Sequence, residues 1–382
     1  MSELDAASIA PSQVTARLAT AGWPADHPAV RAAFPVAARG HNLVVSAPPS
    51  PAWSAPAVAG ALGRRAGSDG LVVLLAPAES VDEWARLTAF LAADTGLRIT
   101  AAHTTGRLTR LLRAEAVDVL VVPPETAVDV VRRAALKLES VRSVILAWPE
   151  RWSGEDTLTV LLGDVPREAQ RIVVTADAAG VAEVIERYAW RAPVADLMGS
   201  APSDPAPAVR TVAVPWRRRL DTIPDLIEQL DPASTAVWTA DSRDHPAIAE
   251  ALGRTDAAGT IVARASAEAG LVIAYDLPSP ADLRTLGGGD IVLLVPPGAE
   301  PFVSRIAPAR RPLLLPGVLD KARADQAQAR QEIVTALERG ASESALLALA
   351  PVLERFEAPA VAAVLWDLWR APAAERPAAA PA

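Results

Sequence analysis

A chain of 382 residues is long enough for two or three domains, and with 51% hydrophobic residues it can bury a sizeable core. Its formal net charge of −8 argues against broad, charge-driven nucleic-acid binding, which depends on neutralising phosphates, but leaves room for a local basic groove. The lack of cysteine excludes disulfides, thiolate catalysis and zinc–thiolate sites. The opening MSELDAASIA is acidic and polar, unlike a secretory signal, and no run of about 18 uncharged apolar residues predicts a membrane helix. The cytoplasm is the expected compartment.

The first predicted element is a helix over Ser12–Thr20, followed by GWPADHPAVRAAFP, Gly22 to Pro35. Leu43–Val45 then reads as a short buried strand and Ala55–Leu62 as the start of an apolar helix. Between them lies SAPPSPAWS, Ser46 to Ser54, at a place where many α/β proteins hold a phosphate. A phosphate loop needs glycines whose N–H groups converge, then a Lys and a Ser or Thr. This loop has neither Gly nor Lys, and Pro48, Pro49 and Pro51 carry no N–H. Further strands are predicted at Gly70–Pro77, Leu97–His103, Val117–Pro124, within Val141–Trp152 and within Arg171–Gly180. Amphipathic helices alternate with them, among them Ser80–Gly96, where Ser80 and Glu83 have the spacing of a capping box. Continuous Val/Ile/Leu strands alternating with helices mean a parallel sheet covered on both faces.

Residues 1–197 are therefore expected to form one doubly wound α/β domain, and the Pro/Ser/Ala-rich stretch 198–208 a linker. The alternation restarts over 209–307 as a second, smaller α/β domain. A helical extension is expected over 308–370, and a disordered tail over 371–382.

This order of elements and its local phrases resemble a DEAD-box RNA helicase of the bacterial cold-shock type, over residues 12 to about 370. GWPADHPAVRAAFP resembles the adenine-recognition segment, with Val30 where the family has Gln. SAPPSPAWS corresponds to the phosphate loop, with Ser50 within it, Trp53 at the Lys position and Ser54 at the Thr position. VRSVILAWPERW is similar to VLDEADRM, so that Ala147 and Trp148 fall on the Asp and Glu, and Glu150 on the last Asp. IVVTADAAG is similar to the SAT segment, through Thr175, Ala176 and Asp177. In the second domain GLVIAYDLPSPADL is close to VINYDLP, whereas the family's arginine segment is replaced by RTLGGGD, Arg284 to Asp290. The resemblance implies two tandem RecA-like domains, and C-terminal helices resembling an extension that serves dimerisation in some of these helicases.

ATP hydrolysis on this scaffold would need a Lys on the phosphates, a Ser or Thr with a carboxylate on Mg²⁺, a carboxylate for the attacking water, and arginines from the second domain. Trp53 supplies no positive charge, Ala147 cannot position Mg²⁺, Trp148 accepts no proton, and no arginine pair is visible. No catalytic residue and no metal site is therefore expected, and the four scattered histidines lack ligand spacing. Trp53 and Trp148 are expected to fill the cleft or to offer an apolar docking surface. Ser54 and Glu150 are expected to be a helix N-cap and a solvated carboxylate, Asp276 a strand-end turn residue, and Gly287–Gly289 a shortened turn. Trp216, Arg217, Arg218 and Arg219 have the composition of an RNA or partner contact, but the acidic net charge favours a solvated strand–helix turn.

The expected function is that of an inactive helicase-like binding or scaffold subunit in a protein or RNA–protein complex. It would need no cofactor, would not touch a membrane, and would form a homodimer through 319–370. The alternative is an atypical ATP-dependent RNA helicase using ATP and Mg²⁺.

Overall fold

The computed structural model describes residues 12–152, 155–199, 206–255, 259–315, 329–338, 340 and 342–370. Most of the expected linker, the start of the helical extension at 316–328 and the tail 371–382 lie outside the described residues.

The first half holds strands β1 (Leu43–Ser46), β2 (Leu71–Leu75), β3 (Ile99–Ala101), β4 (Val119–Val122), β5 (Val141–Ala147), β6 (Gln170–Thr175) and β7 (Val194–Asp196). They form one sheet in the order β3-β4-β2-β5-β6-β1-β7, every pairing parallel. β2 and β4 are buried along their whole length, which is why they read as unbroken apolar runs rather than alternating ones. The covering helices are α1 (Ser12–Thr20), α2 (Pro28–Ala38), α3 (Ala55–Ala66), α4 (Val81–Ala92), α5 (Thr105–Arg113), α6 (Pro124–Arg132), α7 (Glu155–Leu162) and α8 (Ala182–Tyr188). Helices α2 and α3 touch at Gly60, where an added Cβ would lie 2.6 Å from Ala37 Cβ and 2.7 Å from the Phe34 carbonyl oxygen.

The second half holds β8 (Val209–Ala213), β9 (Thr235–Thr239), β10 (Gly259–Ala263), β11 (Ala267–Ala274), β12 (Leu286–Val295) and β13 (Arg310–Pro312). Their order is β10-β9-β11-β12-β8-β13, again parallel throughout. Its helices are α9 (Arg219–Leu230), α10 (His245–Leu252), α11 (Pro280–Leu283) and α12 (Glu300–Ile306). β13 carries this sheet past the expected boundary at Ala307, because Arg310–Pro312 pairs with Val209–Thr211. Gly287–Gly289 is no turn: these residues are part of β12, opposite Glu268 and Ala269 of β11.

Both sheets belong to one compact unit that ends at Leu315. The second unit, from Pro316, shows a helix at 329–338 (α13), then α14 (Glu343–Leu353) and α15 (Ala358–Arg370). Ser342 caps α14 by accepting from the Ala345 N–H at 3.2 Å.

Candidate functional site

The two α/β halves meet at the C-terminal ends of their strands. β1 ends at Ser46, and the chain turns through Ser50 and a single 3₁₀ turn, Pro51–Ser54, into α3. Three prolines suit this path because the turn needs few N–H groups and Pro51 presets its first residue. The turn aims Ser50 and Trp53 at the other half. Ser50 Oγ donates to Asp276 Oδ1 at 2.8 Å, and Trp53 Nε1 donates to the Leu277 carbonyl at 3.0 Å. The Trp53 ring lies 6.1 Å from Trp23 and 6.3 Å from Trp238. Ser54 is buried at the N-cap position of α3 without capping it, and its hydroxyl has no hydrogen-bond partner among the described residues.

Ala147 closes β5, fully buried, and Trp148 follows with φ of 52°, a left-handed conformation uncommon for a bulky side chain. Trp148 is enclosed: its ring is 5.2 Å from Trp84 and stacks on Trp216 of the second half at 6.1 Å, the planes 4° apart. Glu150 is not solvated. Its Oε1 accepts from the Ala176 N–H at 2.8 Å, tying the end of β5 to the end of β6, and burial raises its pKa. Thr175 is buried and accepts from the Asp177 N–H at 2.9 Å. Asp177 pairs with Arg305 of the second half at 3.6 Å. Val30 lies on the buried face of α2.

Trp216 and Arg219 are not a solvated turn: both are buried at the seam. The Arg219 guanidinium reaches Glu83 Oε2 at 3.2 Å in the first half and Asp276 Oδ1 at 3.0 Å in its own. It also donates to the Tyr275 carbonyl at 3.1 Å and lies over the rings of Tyr275 and Trp216. Burial alone would lower its pKa, but Tyr275, Asp276, Glu83 and Asp244 outweigh burial and raise it, so the group is a permanent cation. Arg217 is exposed, and Arg218 lies 3.6 Å from Asp221.

Asp276 is likewise no simple turn residue: besides Ser50 and Arg219 it accepts from the Ala240 N–H at 3.0 Å. Glu83 does not complete a capping box. The Ser80 hydroxyl donates to the Pro77 carbonyl at 2.8 Å, while Glu83 turns to Arg219 and to Arg86, 2.9 Å away. The rim is polar. Ser242 Oγ donates to the Thr20 carbonyl at 3.0 Å, and Arg305 donates to the Ala176 carbonyl at 2.6 Å. Arg264 reaches the Gly22 carbonyl, Arg151 that of Pro297, and Arg86 pairs with Asp244.

Of the expected positions, the structure brings Ser50, Trp53, Ala147, Trp148, Glu150, Thr175, Asp177, Trp216 and Arg219 to this seam or its edge. Glu83, Asp276 and the indoles of Trp23, Trp84 and Trp238 belong to it too; the sequence suggests other roles for Glu83 and Asp276 and none for these indoles. A signal for the indoles was present: 10 Trp stand against 4 Phe and 2 Tyr, and several fall within or just after a strand. Among the described residues no group of three His, Asp or Glu side chains is placed to hold a metal.

No family model and no curated protein matches the chain. Solved structures do match. A DEAD-box protein from Methanococcus jannaschii aligns at TM-score 0.50 and 13% identity, over 82% of this chain and 98% of that one. Dbp5 of S. cerevisiae bound to RNA and ADP BeF3 aligns at 0.47 and 14%, over 79% and 94%. A hypothetical ATP-dependent RNA helicase from Sulfolobus tokodaii aligns at 0.43 and 11%, over 77% and 99%. At such identities the likeness establishes the fold alone: two parallel-sheet α/β halves arranged as the tandem RecA-like domains of DEAD-box helicases, with a helical stretch added at the C-terminus.

Proposed function

We propose that this helicase-fold chain hydrolyses no ATP and acts as a binding or scaffold subunit of a protein or RNA–protein complex. One observation carries the reading. The positions that would, by resemblance, hold the phosphates and the metal are Trp53 and Ala147–Trp148, and the two indoles are buried against the other half. An indole supplies no charge to a phosphate and no ligand to Mg²⁺, and Ala147 supplies none either. Loss of a single transition-state group commonly costs ~10²–10⁵ in rate, and here several positions lack theirs together. No cofactor is needed in this reading.

The test is a nucleotide titration at millimolar Mg²⁺, followed by calorimetry and by quenching of the seam tryptophans, with a phosphate-release assay beside it. No saturable signal and no release above blank is the expected result. Saturable binding with release would return the atypical ATP-dependent RNA helicase. A mobility-shift assay with single-stranded RNA then separates an RNA-bound role from a purely protein-bound one.

We assign self-association to the C-terminal helices. Leu346, Leu347, Val352, Leu353, Val364 and Leu365 are exposed on α14 and α15. Leu349 and Val361 are half-buried on the same two helices. Light scattering should give a dimer for the full chain and a monomer for a chain ending at Leu315. No helix among the described residues is long and apolar enough to cross a membrane, and the cytoplasm is the compartment we assign.

A further inference from the structure

Side chains of both halves pack into the seam. At its centre Arg219, from the second half, stands between Glu83 of the first half and Asp276 of its own. Beside it Trp216 lies flat on Trp148, and Trp53 sits between Trp23 and Trp238. Around these the rim contacts run from Ser242–Thr20 through Arg86–Asp244 to Arg305–Asp177.

We infer that Trp216 and Arg219 are a built-in occupant of the cleft, which holds the two halves shut without any nucleotide. The inference rests on the reading of the cleft as unable to use ATP, and adds to it a fixed conformation. Three arguments support it. Trp53 Nε1 and Ser50 Oγ, both on the loop after β1, find their acceptors on the other half, Leu277 O and Asp276. Opening would strip both of them. It would also part Arg219 from Glu83 and separate the stacked indoles, returning apolar rings from both halves to water. Finally, the occupant is covalently part of the second half, so its effective concentration at the cleft far exceeds that of a free ligand. A nucleotide entering the same place would have to displace a buried cation and an indole together.

The chain contains no cysteine, so paired spin labels can be placed without background. Arg110→Cys on α5 and Glu250→Cys on α10 are both exposed, one on each half. Pulsed electron resonance on the full chain should show one narrow distance, unchanged by ATP with Mg²⁺ or by single-stranded RNA. A second, longer population in the free protein, or a shift on adding ATP, would overturn the inference. Combining Trp216→Ala with Arg219→Gln should create that longer population. If the doubly substituted chain folds and its distance stays single, the occupant role is lost. Should it not fold, Arg305→Ala on the rim serves instead: it leaves the occupant in place and must keep the single distance, and a broadened one would place closure in the rim and sink the idea. Nucleotide binding with an unchanged distance would refute the inactive cleft and leave the closure standing. Mobile halves that bind no nucleotide would refute the closure alone.

Discussion

At the scale of single residues, the seam depends on a buried charge cluster centred on Arg219. Arg219 is flanked by two carboxylates that are nearly as buried as it is. Arg219→Met keeps much of the volume but takes from Asp276 its cation and leaves Glu83 with Arg86 alone. Breaking a buried pair from one side costs about 3–5 kcal/mol, and denaturant unfolding should show a loss of that order. Asp241 adds a pH dependence. Burial pushes its carboxyl up to about 6, with Asp276 and Asp244 pushing the same way and Arg243 opposing. In the unfolded chain the group returns to about 3.9. Between these values the folded protein holds a proton that the unfolded one does not, so this group's contribution to stability falls as pH rises from about 4 to 6 and is flat above. Asp241→Asn should remove that fall, on the order of 2 kcal/mol, so the gap between variant and wild type should widen from pH 4.5 to pH 7.5. A constant gap would mean that Asp241 does not titrate there. Trp148 shows the same over-determination in its backbone. A left-handed bulky residue costs about 1–3 kcal/mol, and its enclosure between Trp84 and Trp216 is what holds it.

At the scale of elements, most strands were legible, the edge strand β3 among them, but β7 and β13 were not. β2 and β4 announce themselves because strands buried on both faces must be apolar at every position. β7 and β13 are three-residue edge strands, Val-Ala-Asp and Arg-Arg-Pro, with no such run to find. Local rules failed where a distant partner took the residue. Ser80 and Glu83 have the spacing of a capping box, yet Glu83 is claimed by Arg219, 136 positions along the chain. The same holds for Trp216–Arg219 and for Asp276: their roles come from the meeting of two halves, which no local window contains. Helix packing, by contrast, rests on one small residue. Gly60→Ala would gain about 1 kcal/mol of helix propensity, but its Cβ would meet Ala37 Cβ, the Phe34 carbonyl oxygen and the Ala38 nitrogen at 2.6–2.9 Å. Backbone atoms cannot swing aside as a side chain does, and overpacking costs about 1–3 kcal/mol. The melting temperature should fall. A rise would show that α2 yields more readily than its contacts suggest.

At the scale of the whole molecule, the question is whether the two halves unfold separately or as one. A hinged pair of domains joined by small polar contacts would show two steps. Here Trp53, Trp148, Trp216 and Trp238 bury their rings across the seam, and each half completes hydrogen bonds that the other leaves open. Residues up to Leu315 also form one compact unit. Indole fluorescence reports on the seam, whereas far-ultraviolet dichroism reports on the helices of both halves. In chains with Trp152, Trp190, Trp366 and Trp369 each replaced by Phe, which leave only the indoles of the seam, the two signals should trace one denaturant transition with a common midpoint. Trp53→Ala deletes a ring that spans both halves and the N–H that reaches Leu277. It should lower the midpoint by the equivalent of about 3–5 kcal/mol, with fluorescence changing before dichroism as the seam parts ahead of the sheets. If the parent chain already showed fluorescence leading, the seam would be a weak contact between two independent domains, and a closed resting state could not be maintained by these residues.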